Sequence, residues 1–266
     1  MPHRFRSNLS RDIVDLEPAF RHAVPVESSD PNAHTVLCDP SLFSGCGYAT
    51  HDEAGILAAI AGATFQIPRL RDRRWLEIGS HTGWTAAHIA LSGHGVLALE
   101  PEYRWVGHND TKSPAAFYNR AVENLCNAGL RSHVALVGMP STHLLETPGM
   151  YALPEHAFAG VFIDGNHSSP FPLEDAKIAE RFVDYDGVVV FHDVIGEPIQ
   201  EGVRYLLGRG WCLRLYRTPQ VLACLWRPTS PFVPPVHEAD PYYLFANRGN
   251  PGLNYLATRE APEKNP

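Results

Sequence analysis

The chain has 266 residues, 44% of them hydrophobic and 19% charged, which fits one large domain with appendages and is ample for a full core. No apolar stretch approaches the ~18 residues that a membrane-spanning helix needs. The basic segment 1–12 lacks the apolar run of a secretory signal, so a cytoplasmic protein is expected. With 22 Lys and Arg against 29 Asp and Glu, the net charge of −7 repels phosphate backbones and anionic lipids, which argues against nucleic-acid and membrane partners. Cys38, Cys46, Cys126, Cys212 and Cys224 are widely spaced without a Cys-x-x-Cys pair, the pattern of reduced thiols rather than a disulfide framework.

Residues 1–50 are interrupted by Pro18, Pro25, Pro31 and Pro40 and are expected to form an arm or lid, with one helix-like piece over 11–20. Thr50-His51-Asp52-Glu53 has the form of a capping box, and Ile56, Leu57 and Ile60 follow at helical spacing, which predicts a helix over 51–64. The arginine-rich stretch 69–74 is expected to be a solvated loop leading into a strand. Apolar runs at 75–78, 95–99, 134–137, 160–163 and 187–191 read as buried strands, alternating with helices over 84–91, 114–128, 173–183 and 198–207. The second helix is the best marked, with Ser113 as N-cap, Pro114 at its first position and Gly129 as its stop. Such alternation means a parallel sheet wound on both faces. Segments 211–217 and 221–227 are joined only by Thr218-Pro219-Gln220, too few residues for a crossover, so the sheet should end in an antiparallel hairpin. From Pro228 onward a Pro-rich tail with Phe232, Tyr242, Tyr243, Phe245 and Tyr255 is expected to pack on the surface of the core and fray after Thr258.

In a doubly wound sheet, ligands sit outside the carboxyl ends of the strands. The first strand runs into Glu77-Ile78-Gly79-Ser80-His81-Thr82-Gly83-Trp84-Thr85, where Gly79 permits a tight turn and Gly83 a close backbone approach at the helix start. The spacing is Gly-x-x-x-Gly, without the Gly-x-Gly-x-x-Gly on which a dinucleotide pyrophosphate rests. A carboxylate at Glu77 would repel a pyrophosphate and attract an ammonium group. Glu100, at the end of the second strand, can accept hydrogen bonds from ribose hydroxyls. A ribose beside an amino acid is S-adenosylmethionine.

These residues also carry a family resemblance. Glu77-x-Gly79-x-x-x-Gly83 with Glu100 resembles the class I S-adenosylmethionine-dependent methyltransferases. Phe162-Ile163-Asp164-Gly165-Asn166-His167, Asp175, and Asp186 through His192-Asp193 resemble their small-molecule O-methyltransferase branch, which includes catechol and macrolide-sugar methyltransferases. The resemblance spans about residues 48–227. It implies an α/β fold, a doubly wound, mostly parallel seven-stranded Rossmann-like sheet with a final antiparallel hairpin. With the arm or lid over 1–50 and the Pro-rich tail over 229–266, which match no named family, the expected organisation has an S-adenosylmethionine-binding catalytic domain over 51–228 between them.

The resemblance further implies cofactor contacts from Glu77, Gly79, Ser80, Gly83, Thr85, Glu100 and Asp164. It implies a divalent metal held by Asp164, His192 and Asp193, and a general base at His167, with His192 the competing candidate. His192 stands where a carboxylate is usual, and His167 where the catechol enzymes have lysine. Imidazole suits zinc, manganese or iron better than Mg2+, so the identity and presence of the metal stay open. The expected acceptor is the hydroxyl of a small natural-product or sugar-like molecule. Metal-free N-methylation is the nearest alternative. From other classes, a nicotinamide-dependent oxidoreductase is disfavoured by the missing glycine and by Glu77, and a non-catalytic ligand-binding protein would show no turnover of methyl donor. The turn Gly165-Asn166-His167 also resembles that of metallophosphoesterases, whose Asp-x-His and Gly-Asp-x-x-Asp partners do not occur here. Homo-oligomerisation is left open. His81, His88, His94, His108, His133, His143 and His156 lack ligand spacing and are read as structural.

Overall fold

The computed structural model describes residues 49–104, 115–146, 153–238 and 249–261. Most of the expected arm, the cap at Ser113 and Pro114, and the tail aromatics Tyr242, Tyr243 and Phe245 lie outside the described residues.

The first described helix, α1 (His51–Phe65), starts as its sequence predicts, with the Thr50 side chain accepting from the Glu53 amide and the Glu53 side chain accepting from the Thr50 amide. There follow β1 (Arg74–Ile78), α2 (Trp84–Leu91), β2 (Val96–Leu99), a 3-10 turn (Pro101–Arg104), α3 (Ala115–Asn127), β3 (Val134–Val137) and a one-turn α4 (His143–Glu146). The second half comprises β4 (Phe158–Ile163), α5 (Phe171–Phe182), β5 (Val183–Phe191), α6 (Glu197–Gly208), β6 (Cys212–Tyr216), β7 (Leu222–Trp226) and α7 (Pro251–Ala257). The strands form a seven-stranded sheet in the order β3-β2-β1-β4-β5-β7-β6. Its first five strands are parallel, and β7 pairs antiparallel with both β5 and β6.

Successive residues of a strand point to opposite faces, and here both faces are apolar. Leu76, Ile78, Val161, Ile163, Val189 and Phe191 enter one core beneath α5, α6 and α7. Trp75, Ala98, Phe162, Val188 and Val190 enter the other beneath α1 and α2. The continuous apolar runs in the sequence are thus the signature of a sheet covered on both sides. Among the described residues, no helix is long and apolar enough to cross a membrane.

Three local features depart from the sequence reading. The stretch 69–74 is not simply solvated: Arg73 and Arg69 place their Nε atoms 2.9 and 3.3 Å from the buried Asp184 carboxylate. Those ion pairs allow β5 to begin at Val183, although Asp184 and Asp186 make the segment look like a turn. The tail contains a helix, α7, started by Asn250, whose Oδ1 accepts from the amides of Gly252 and Leu253, and anchored by buried Leu253 and Leu256. Phe232 is likewise buried, 5.8 Å from the Trp226 ring.

The strand order reverses between β1 and β4. Their carboxyl ends, with those of β2 and β5, define the edge where a ligand would lie.

Candidate active site

The tip of β1 is tied to both neighbours. The Gly79 amide donates to Leu99 O at 2.9 Å, and the Asp164 amide donates to Ile78 O at 2.9 Å. Gly79 has φ of +89°, and a Cβ built there would stand 2.2 Å from the Asp164 carbonyl oxygen. Only glycine satisfies both the left-handed backbone and this approach. Gly83, at φ +78°, precedes α2 and leaves the helix without a side-chain cap, so its first-turn amides are open to an external acceptor.

Glu77 is fully buried. Its Oε1 accepts from the Thr85 hydroxyl, and its Oε2 has no hydrogen-bond partner among the described residues. Burial pushes the carboxyl up to about 7; the Thr85 and Ser80 hydroxyls oppose the shift, and the charges of Asp164 and Glu100 add to it. Glu100 accepts the His81 amide at 3.0 Å on Oε2 and the Glu102 amide at 3.1 Å on Oε1. Each of its oxygens keeps a second lone pair, and burial raises its pKa as well. His81, at φ 44°, holds the bend between Ser80 and Gly83, and its carbonyl accepts from the Tyr103 hydroxyl at 2.6 Å. The ribose-facing and ammonium-facing carboxylates of the sequence reading are therefore neighbours on adjacent strand tips.

The tips of β4 and β5 bring four more predicted residues together. The His192 amide donates to Ile163 O at 3.0 Å, which aligns the two ends. His192 Nδ1 lies 2.9 Å from Asp193 Oδ2 and 3.2 Å from Asp164 Oδ1. His167 Nε2 lies 3.4 and 3.5 Å from the same two oxygens. Two imidazoles thus flank one pair of carboxylates. Asp193 has φ of 54°, an uncommon backbone for a residue with a side chain, of the kind that clusters at functional sites. Asn166 Oδ1 accepts the Ser168 amide at 2.9 Å, folding the loop so that His167 returns over the strand ends. The two histidines differ in access: the His192 side chain is 0% exposed and that of His167 is 48% exposed.

Sequence reasoning missed Glu53 as part of this cluster. The β6–β7 turn and the start of α1 both cover the β5 tip, and there Glu53 Oε2 comes within 3.3 Å of His192 Nε2. Its capping-box signal was visible, and nothing local distinguishes a capping glutamate from one that also reaches a strand end. Electrostatics follow the geometry. Burial opposes the ionisation of Glu53, but the hydrogen bond and charge of His192 outweigh it and hold the carboxyl at about 2. Burial also opposes a charge on His192, and hydrogen bonds to Asp164, Asp193 and Glu53 still raise it well above the ordinary imidazole value. The hydrogen bond to Asp164 raises His167 against its partial burial, with Asp193 adding to the effect.

The ligand atoms of Asp164, His167 and Asp193 lie within 4.8 Å of one another, close enough to share a cation. His192 Nδ1 faces the same two carboxylates. Two oxygen and two nitrogen donors suit zinc, manganese or iron, whereas Mg2+ favours an all-oxygen shell. The remaining predicted residues, Ser80 and Thr85, line the Glu77 side of the turn.

Residues 76–194 match a family described as a methyltransferase domain, a span running from within β1 to just past Asp193. Several solved structures share the fold. Cofactor-bound Rv0187 from MTB is 21% identical, with a TM-score of 0.50 over 73% of this chain and 87% of that one. Precorrin-6y C5,15-methyltransferase from Geobacter metallireducens is 16% identical, with a TM-score of 0.50 over 71% and 96% of the two chains. The Podospora anserina methyltransferase PaMTH1, bound to SAH, is 12% identical, with a TM-score of 0.50 over 85% and 97%. No curated protein matches the sequence at a significant level.

Proposed function

We propose that this protein is an S-adenosylmethionine-dependent methyltransferase, a reading supported by its methyltransferase-domain match and its fold, and that it transfers the methyl group to a hydroxyl of a small molecule. One observation carries the reading. The β1 and β2 tips present two carboxylates suited to an amino acid and a ribose, and the adjoining β4 and β5 tips present an acid and imidazole cluster where an acceptor would be deprotonated.

In this reading, Glu77 receives the ammonium group of the donor, Glu100 receives the ribose hydroxyls, and the turn from Gly79 to Gly83 lets the ligand approach the backbone, with Ser80, Thr85 and Asp164 completing the contacts. The acceptor oxygen attacks the methyl carbon in line, the carbon–sulfur bond breaks, and the electron pair neutralises the sulfonium. The hydroxyl proton passes to His167 Nε2, the imidazole on the open side of the cluster. Alignment of oxygen, methyl and sulfur supplies most of the acceleration, and proton transfer to a positioned base supplies about 10²–10⁴ more.

Asp164, Asp193 and His192 Nδ1 would hold a divalent cation, with His167 beside them. Such a cation supplies a positive charge that orients the acceptor oxygen and lowers its pKa. Neutralising the two carboxylates also removes what raises the His167 pKa, which frees the ring to take a proton. A second reading is N-methylation without metal, favoured by the way the two histidines already balance the carboxylates. Calorimetric titration with S-adenosylmethionine and with NAD, followed by methyl transfer to a panel of hydroxyl and amine acceptors before and after chelation, separates these. Binding of NAD alone sinks the methyltransferase assignment, and turnover of an amine unaffected by chelation selects the second reading.

A further inference from the structure

A glutamate at the third position of a helix completes a capping box by accepting one backbone amide, and it can do so in full contact with water. Glu53 is instead 1% exposed. It accepts the Thr50 amide at 2.7 Å on Oε2 and the Gln220 amide at 3.1 Å on Oε1, and the same Oε2 lies 3.3 Å from His192 Nε2. Burying a carboxylate is unfavourable unless strong donors surround it. The two amides approach different oxygens, so a glutamine, with its single acceptor oxygen, would satisfy only one of them. The imidazole contact brings a third donor to the same carboxylate.

We propose that Glu53 is a positioning residue that fixes the orientation and tautomer of His192, so that Nδ1 is the ring nitrogen offered to Asp164 and Asp193. The inference rests on reading that cluster as a cation site. A neutral imidazole carries one ring proton, and its position decides which nitrogen keeps a lone pair. A carboxylate cannot donate, so a Glu53 oxygen facing Nε2 is compatible only with a proton there. By the same rule the Asp193 and Asp164 oxygens, 2.9 and 3.2 Å from Nδ1, call for a proton there in the metal-free ring, and a bound cation would take that proton's place on Nδ1. Three acceptors converging on one point are satisfied by a cation or by a second ring proton. In the opposite tautomer, the Nε2 lone pair would face a buried carboxylate. Carboxylates behind a ligating histidine commonly play this part, and losing one weakens metal binding. The carboxylate here comes from a helix 139 residues away in sequence, which ties the start of α1 to the geometry of the β5 tip.

The test compares wild type with Glu53→Gln, Glu53→Asp and Thr50→Ala. Three quantities are read: the zinc dissociation constant by calorimetry, the nitrogen-15 shifts of the His192 ring above its titration range, and the affinity for S-adenosylmethionine. Glutamine has one neutral oxygen to share among the Thr50 amide, the Gln220 amide and Nε2, so the ring loses its charged acceptor and its nitrogen shifts should move. Zinc affinity should fall about 10–100-fold with S-adenosylmethionine affinity within about twofold of wild type. Glu53→Asp keeps the charge but is one methylene shorter, so it should show a smaller loss in the same direction and serves if the glutamine variant does not fold. Thr50→Ala removes only the cap, and should lower Tm while leaving zinc affinity and ring shifts unchanged. The proposal is overturned if Glu53→Gln and Glu53→Asp bind zinc as wild type does, or if Thr50→Ala weakens zinc as much as they do. Wild type that binds neither zinc nor manganese would remove the cation site. The ring shifts would still decide the role of Glu53, since shifts in Glu53→Gln identical to those of wild type refute positioning.

Discussion

Glu77→Gln separates a ligand-binding carboxylate from a structural one, because the two roles predict opposite changes in stability. In the folded protein the Glu77 carboxyl titrates at about 7 instead of its ordinary 4.5, chiefly through burial. The folded state therefore holds a proton that the unfolded chain has already released. Stability from this group is fully present below about pH 4.5 and is lost as the pH rises through about 7. A shift of that size corresponds to about 3 kcal/mol, or roughly 6–12 °C in Tm for a domain of this length. Glutamine keeps an oxygen for the Thr85 hydroxyl and carries no charge, so at pH 8 the ligand-free variant should melt above wild type, and at pH 4 the two should agree. Cofactor binding should change the other way. Losing a charged hydrogen bond of about 1.5–3 kcal/mol weakens S-adenosylmethionine by about 10–100-fold. Scanning calorimetry at the two pH values, with and without cofactor, measures both effects. A variant that melts below wild type at pH 8 and binds the cofactor normally would show that Glu77 merely caps the turn.

Gly79→Ala should destabilise the protein by about 1–2 kcal/mol for the left-handed backbone and a further ~1–3 kcal/mol for crowding the Asp164 carbonyl, read by denaturant titration; wild-type stability would mean that the two strand tips are not in contact. His167→Ala should lower turnover by about 10²–10⁴ with little change in cofactor affinity. Near-normal turnover there, with loss in His192→Ala while the metal site stays intact, would move the base to His192. His94 is buried between Thr64 and the Arg73 carbonyl, and burial lowers its pKa from 6.5 to about 4. The unfolded chain then binds more protons, so stability present above pH 6.5 should be lost by about 3 kcal/mol as the pH falls toward 4, and His94→Gln should flatten that slope. An unchanged slope in the variant would assign acid lability to another group.

The sheet was legible because both of its faces are buried, which makes each strand a continuous apolar run bounded by polar turns, as at Trp75 to Ile78 and Val188 to Phe191. The strand-end residues were legible for a related reason: the fold delivers Glu77, Glu100, Asp164 and Asp193 to one edge whatever the loops do. What escaped depends on contacts between distant segments. The β5 start reads as a turn until Arg69 and Arg73 are seen against Asp184. Asn250-Pro251-Gly252 is a good helix start, but its context of prolines hides it until Leu253 and Leu256 are found in the core. Glu53 reaches Gln220, 167 residues away, and no local pattern encodes that pairing.

The carboxyl edge of the sheet gathers acidic groups in a protein that is already negative, and its two halves handle them differently. At the β4 and β5 tips, His167 and His192 lie against Asp164 and Asp193 within the protein, and against burial their hydrogen bonds hold the Asp164 carboxyl below its ordinary value. At the β1 and β2 tips, Glu77 and Glu100 receive, among the described residues, hydroxyls and backbone amides, and both are raised toward protonation. Selection for stability alone would replace a fully buried, partly unsatisfied carboxylate with an amide or an apolar residue. Its position beside a helix start without a side-chain cap, within a turn that excludes Cβ atoms, makes sense if a ligand brings the missing positive charge. In the function proposed here, the uncompensated half would receive the donor, and the compensated half would take the acceptor's proton. The boundary between them, where Gly79 meets Asp164, is where we place the transferred methyl group.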